Sequence, residues 1–307
     1  WIRGKGGSVH ASQELKSVEG LRGMYATAAI TEGTLLAYVP WATILGARDQ
    51  CALAAKIRDE LKLGDDSFFA PAFRLLQDYE PGLPFAWRPQ HLELVAGLPP
   101  RDWTRHAGWF EASCANQTLE DPATRRAVDL VVARACGQGD EYALVPVYDL
   151  YNHRNGHHAN VRIHFAYGQG LSVFASRYVR AGEQLMISYG EDSVGAILRD
   201  YGFIEQRPQV WDFEPVKSYA FRLDDPPVGD DVVVEWLSAL VPSSREQFDA
   251  DIAPVLADLQ RGNDLPPAPS DAAGQREWRT VLAFRKAFRD AIDDARRTLP
   301  AGDNLDL

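Results

Sequence analysis

Residues 145–153 read VPVYDLYNH, residues 178–190 read YVRAGEQLMISYG, and residues 200–203 read DYGF. In the first, the apolar run Val145-Pro146-Val147 gives way to Tyr148, Asp149, Asn152 and His153, and then to the polar RNGHH of 154–158. Polar groups set directly behind an apolar run need partners. Taken alone, the segment also reads as a helix N-terminus, with Asp149 as its favourable charge and Asn152 and His153 in water. A metal reading gathers Asp149, His153, His157, His158 and His164, all of ligand type. The spacing HRNGHH matches no defined metal motif, and adjacent histidines do not easily face one ion, so no metal is expected. In the second stretch a turn at Arg180 to Glu183 precedes a short strand ending at Tyr189; Tyr201 and Phe203 follow. Singly, each tyrosine fits a core residue whose hydroxyl has found a partner.

Outward from these stretches, GLRGMYATAAITEGTLLAYVP at 20–40 shows short apolar runs broken by glycine, the pattern of short strands and tight turns. Gly20 and Gly23 flank Arg22 and precede Met24, a spacing that lets backbone approach a ligand but is common. From about 48 to 132 the spacing turns helical, in DQCALAAKIRDELKLG, FFAPAFRLLQDYE and ATRRAVDLVVARAC, punctuated by Gly64, Pro81-Gly82 and Pro99-Pro100. Strand character returns at VRIHFAY, LSVFASRYV and QLMISYG, so β structure brackets a helical insert. After Pro208 a strand-like SYAFRL leads to a Pro- and Asp-rich linker at 224–231. VVVEWLSALV, FDADIAPVLADLQ and REWRTVLAFRKAFRDAIDDARRTL then read as helices. The last sets Trp278, Leu282, Phe284, Phe288 and Ile292 on one side, the mark of a packing face. LPPAPSDAAG at 265–274 reads as a Pro-rich loop.

At 307 residues the chain is long enough for two domains. The expected division is 1–207, with the insert at about 48–132, and a helical 208–307. Hydrophobic residues make up 46% and charged ones 24%, and no apolar stretch nears the ~20 residues that span a bilayer. A soluble, intracellular protein is expected, with no membrane partner and no resolved choice among cytoplasm, nucleus and plastid. The net charge of -11 disfavours a phosphate-binding surface, and so a nucleic-acid partner, and would attract a basic protein segment. Cys51, Cys114 and Cys136 share no C-x-x-C spacing and leave one odd cysteine, which predicts neither a disulfide framework nor a zinc cluster, and a reducing compartment. Trp1 is preceded by no Met, basic region or apolar region, which predicts a trimmed or processed chain.

Together and in this order, the segments resemble the SET-domain protein methyltransferases. The branch is the one typified by the Rubisco large-subunit lysine methyltransferase, where a helical insert splits the SET domain and a helical substrate-binding domain follows. The likeness runs from Trp1 to about Ile204, carried by 20–40, 145–153, 178–190 and 200–203, with Arg134 matching the arginine that precedes the Asn-His pair. It implies an α+β fold of small twisted sheets and an S-adenosyl-L-methionine-dependent protein-lysine N-methyltransferase. It further implies that Arg22, Gly23, Met24, Arg134, Asn152, His153, Tyr201 and Phe203 bind the cofactor, Arg134 beside its carboxylate. Tyr189 is the implied catalytic residue, and Cys136, Tyr148 and Tyr201 line the substrate side. The partner implied is a protein with an accessible Lys or His, acted on by a monomer.

The sequence departs from the family at the acceptor. Tyr148 stands where its lysine enzymes carry a small residue and its actin-histidine enzyme a Trp; Cys136 replaces a Phe of the former and an Asn of the latter. Val194-Gly195 replaces an Asn-Ala pair, which predicts a slacker turn between Tyr189 and Tyr201. Two alternatives therefore stay open: a protein-histidine methyltransferase and a non-catalytic, SET-like protein-binding module.

Overall fold

The amphipathic stretch from Gln50 becomes the helix Gln50–Leu63 because Asp49 caps it, its carboxylate accepting from the Ala52 N–H at 2.7 Å. That bond satisfies one of the amide donors a helix start leaves unpaired. The computed structural model describes residues 1–18, 21–115, 117–138, 141–225, 233–261 and 267–301. Its contacts group into two units, Trp1–Pro81 with Gly108–Gly190, and Gly82–Ala107 with Glu191–Leu307. Residues 82–107 and 191–207 thus group with the C-terminal part, a partition different from a boundary at 207.

In the first unit, Gln50–Leu63 packs on the helix Pro122–Arg134, with Leu53, Ala54 and Ile57 buried on the one and Ala127, Val128 and Val131 on the other. A disulfide joins Cys51 to Cys114, and Cys136 alone is free. This corrects the expectation of unpaired cysteines, and removes the argument for a reducing compartment. Sequence spacing missed the pair because the tertiary fold, not a motif, brings the two residues together.

The strands of this unit form several small sheets. Ser8–Val9, Leu35–Pro40, Gly170–Ala175 and Val161–Ala166 lie side by side in that order, all antiparallel. Leu171, Val173 and Ala175 alternate into the core with no exposure, as a period of two requires. Gln13–Val18 pairs with Leu21–Ala26, and Glu141–Leu144 lies between Leu45–Ala47 and Cys136–Gln138. Leu36, Val39, Val145, Tyr151, Leu171 and Val173 share one apolar core.

The second unit holds a three-stranded antiparallel sheet, Gln209–Phe213, Lys217–Asp224 and Val233–Trp236, with the helices Val194–Tyr201, Arg245–Asp251, Ala253–Arg261 and Ala272–Thr298. VVVEWLSALV was expected as a helix; Val233–Trp236 is instead a strand, setting Val234 against Leu223 and Trp236 against Phe221. Its β-branched run suits a pleated surface, and the neighbouring strand decided the matter. The region after 208 is therefore mixed rather than wholly helical. On Ala272–Thr298 the buried stripe is Trp278, Val281, Phe284, Phe288 and Ile292, with Leu282 only half-buried. Trp211 meets Phe288 at 5.0 Å between ring centroids. Most of the linker expected at 224–231, and the first two residues of the loop at 265–274, lie outside the described residues. Among the described residues no helix is long and apolar enough to cross a membrane.

Candidate active site

Asn152–His153 and Met186–Ile187 form a parallel pair, Asn152 beside Met186 and His153 beside Ile187. Parallel strands require a long connection, which is how segments far apart in sequence meet. The Asn152 amide Nδ2 donates to the Arg22 carbonyl at 2.8 Å. His153 is buried, and its Nδ1 accepts from the Tyr189 N–H at 2.9 Å, with ring centroids 5.0 Å apart. At its other end the Tyr189 hydroxyl donates to the Tyr151 carbonyl at 2.8 Å. Tyr189 is held at backbone and hydroxyl alike.

Gly23 explains itself by crowding. A Cβ there would stand 2.1 Å from Gln184 Nε2 and 2.7 Å from Asn152 Nδ2. No other residue type fits without moving both amides. Leu185 N–H donates to the Met24 carbonyl at 2.8 Å, joining this strand to the YVRAGEQLMISYG segment. The Met24 side chain is core, so it presents only its backbone to the strand's surroundings. Gln184 was not foreseen; its Nε2 is buried with no hydrogen-bond partner among the described residues. The signal for it was a polar residue just before the short apolar strand Met186–Ile187. Tyr151, whose buried hydroxyl donates to Gln13 Oε1 at 2.8 Å, was equally missed.

Arg134 closes the helix Pro122–Arg134 and donates from Nη1 to the Asp149 carbonyl. Its guanidinium lies 3.8 Å over the Tyr79 ring centroid, and its Nε is buried without a hydrogen-bond partner among the described residues. Asp149 is not a solvated helix charge. It sits in the short turn Tyr148–Leu150, is buried, and burial pushes its carboxyl up to about 6 against the opposing pull of Arg134 and Arg22. The Cys136 thiol contacts the Ala143 carbonyl at 3.6 Å and is pushed up to about 12 by burial, so it is no nucleophile at neutral pH. Tyr148, Cys136 and Tyr189 all pack, partly buried, against the same core. Before Tyr148, Val147 adopts φ 71, a left-handed conformation that a β-branched residue takes only under constraint.

Tyr201 and Phe203 belong to the second unit, where their rings lie 6.3 Å apart. Gly202, at φ 80, caps the helix Val194–Tyr201. Asp200 serves structure: it binds Arg199 at 2.7 Å, His106 at 2.7 Å and Arg105 at 3.0 Å. The turn expected to be slack is capped instead, with Ser193 Oγ accepting from the Ala196 N–H. At Gly195 a Cβ would meet the Pro99 carbonyl at 2.7 Å, so a small residue is demanded. The His157 and His158 rings lie 3.9 Å apart, tilted by 36°, while His153 Nδ1 is engaged by Tyr189.

The fold recurs in solved structures. Rubisco LSMT bound to AdoMet matches with a TM-score of 0.59 and 15% identity, over 97% of this chain and 92% of that one. Rubisco LSMT bound to sinefungin and monomethyllysine gives 0.57 and 15%, over 98% and 92%. The SET domain of LSMT bound to lysine and AdoHcy gives 0.56 and 14%, over 97% and 91%. At such identities the likeness is one of fold. No curated protein matches by sequence. The SET-domain family model matches residues 21–190, more than half of the chain. That span runs from the strand holding Gly23 through the Asn152-His153 pair to Tyr189 and Gly190, and the chain belongs to the SET-domain family.

Proposed function

We propose that this protein is an S-adenosyl-L-methionine-dependent protein-lysine N-methyltransferase. The observation that carries the reading is the double anchoring of Tyr189, to His153 Nδ1 and to the Tyr151 carbonyl, beside the Asn152–Arg22 bond. The residues fit the cofactor on their own chemistry. Gly23 lets the Asn152 and Gln184 amides close against the backbone, and two buried donors, Arg134 Nε and Gln184 Nε2, have no hydrogen-bond partner among the described residues. A molecule carrying a carboxylate and other acceptors would use them.

When bound, S-adenosyl-L-methionine supplies an activated methyl group on a sulfonium. In this reading the backbone at Arg22, Gly23 and Met24, with Asn152 and His153, holds the cofactor and Arg134 takes its carboxylate; Tyr201 and Phe203 are assigned to its aromatic side by the family resemblance alone. Tyr189 orients the acceptor amine. Alignment of this kind contributes on the order of 7–11 kcal/mol. A lysine with a pKa near 10.4 is neutral in only about one molecule in 2,500 at pH 7, so the acceptor must be buried to lose its proton. Tyr148, Cys136 and Tyr201 are the substrate-side residues, and the net charge of -11 favours a basic protein segment.

A histidine acceptor is the second reading, favoured by one departure from the family pattern: Tyr148, next to the constrained Val147, stands where the family's lysine enzymes carry a small residue. Such an acceptor is mostly neutral at pH 7 without help. Calorimetry with S-adenosyl-L-methionine tests the cofactor; absence of binding would leave a protein-binding module. Incubation with methyl-labelled cofactor and a lysate, followed by hydrolysis to amino acids, tests the acceptor. Label in methyllysine supports the proposal, and label only in methylhistidine overturns it.

A further inference from the structure

We infer that Tyr79 is the positioning residue for Arg134, presetting its guanidinium to receive a carboxylate; this rests on the cofactor reading above. A buried cation is costly unless it is paired. Yet Arg134 forms no ion pair among the described residues. One face lies against the Tyr79 ring at 3.8 Å, one Nη donates to the Asp149 carbonyl, and Nε is buried with its hydrogen unspent. A guanidinium held this way, by a ring on its face and a carbonyl at one edge, keeps a donor edge for an anionic oxygen.

Tyr79 is itself fixed rather than merely nearby. It lies just beyond the helix Ala70–Leu76, its N–H donating to the Leu76 carbonyl at 3.0 Å. Arg126, on the same helix as Arg134, donates one Nη to the Tyr79 carbonyl and the other to the Leu76 carbonyl. The helix Pro122–Arg134 therefore grips this segment twice, by backbone through Arg126 and by ring through Arg134. Removing the ring leaves Arg134 with its carbonyl bond and freedom to turn about it. Tyr79 touches no reacting atom in this scheme; it acts through Arg134.

The test compares two ligands by calorimetry: S-adenosylhomocysteine, which has the amino-acid carboxylate, and 5′-methylthioadenosine, which lacks it. Tyr79→Leu is expected to weaken S-adenosylhomocysteine about tenfold, the scale of a desolvated cation–π contact, and methylthioadenosine less than twofold. Tyr79→Phe, which retains the ring, is expected to bind both like the wild type. In an Arg134→Lys background the effect of Tyr79→Leu on S-adenosylhomocysteine should vanish. Thermal melting of each variant reports folding; should Tyr79→Leu not fold, Tyr79→His, with a smaller ring, takes its place and is expected to give an intermediate loss for S-adenosylhomocysteine alone. Equal losses for the two ligands, or none for S-adenosylhomocysteine, overturn the assignment while leaving the cofactor reading standing. If the wild type binds neither ligand, the cofactor reading fails and takes this assignment with it.

Discussion

The Tyr189 hydroxyl donates to the Tyr151 carbonyl at 2.8 Å, and the Tyr151 hydroxyl in turn donates to Gln13 at 2.8 Å, so the two tyrosines form one chain of bonds running from the site into the core. Removing the first link alone isolates its role. Tyr189→Phe keeps the ring and the backbone bond to His153, and is expected to retain cofactor affinity while single-turnover methyl transfer drops at least tenfold, the equivalent of ~1.4 kcal/mol in the barrier. Unchanged turnover would remove Tyr189 from the chemistry.

Gly23→Ala introduces a Cβ into space held by Asn152 and Gln184. Overpacking of this kind costs about 1–3 kcal/mol. The expected outcome is a lower melting temperature together with loss of S-adenosyl-L-methionine binding by calorimetry. An alanine variant with wild-type affinity would show that the two amides yield freely.

Asp149 gives a pH dependence of definite sign. Burial raises its carboxyl to about 6, so the folded protein holds a proton that the unfolded chain has already lost. Stability from this group is complete below about pH 4 and is lost as pH rises through 6, by up to ~3 kcal/mol for a shift of about two units. Asp129, also raised to about 6 by burial, adds in the same direction. Asp149→Asn should therefore reduce, without abolishing, the fall in urea midpoint between pH 4 and 7. A midpoint profile identical to the wild type would refute this.

Asp200 acts at the opposite end. Burial would raise it, but Arg199, His106 and Arg105 prevail and hold it at about 2. A depressed carboxyl stabilises the fold above about pH 4, and that contribution disappears as pH falls toward 2. Asp200→Asn is expected to destabilise the protein at pH 7 by about 2–4 kcal/mol, because Arg199 loses a buried partner, and to flatten the acid limb of the denaturation profile. An unaltered acid limb would count against it.

The disulfide Cys51–Cys114 closes a loop with a sequence separation of 63 residues. Chain-entropy arithmetic gives about 4 kcal/mol for such a loop, and measured values commonly fall at 2–4. Cys114→Ser, or reduction with dithiothreitol, should lower the denaturation midpoint accordingly. Without reductant, alkylation after unfolding should label Cys136 alone; three labelled cysteines would contradict the bond.

The chemistry-bearing stretches were legible because their order and content are local properties. Gly23 beside Arg22 and Met24, Arg134 at a helix end, Asn152-His153 behind an apolar run, and Tyr189 at a strand end can all be read along the chain. So could the helical spacing that became Gln50–Leu63 and the strand character that became Gly170–Ala175. Segments whose partners lie far away could not be read so well. Val233–Trp236 looked helical until the strand Lys217–Asp224 stood beside it, and Cys51 and Cys114 looked unpaired until the tertiary fold brought them together.

By itself, then, the sequence determined which residues carry the family pattern and the local elements on which they stand, since capping, periodicity and turn chemistry act between near neighbours. Only the tertiary structure decided that Asp149 is a buried acid and not a solvated cap, that Tyr151 belongs with Tyr189 and Gln184 with Gly23, and that Tyr79 lies over Arg134. Those facts depend on burial and on contacts between distant segments, which no local pattern encodes.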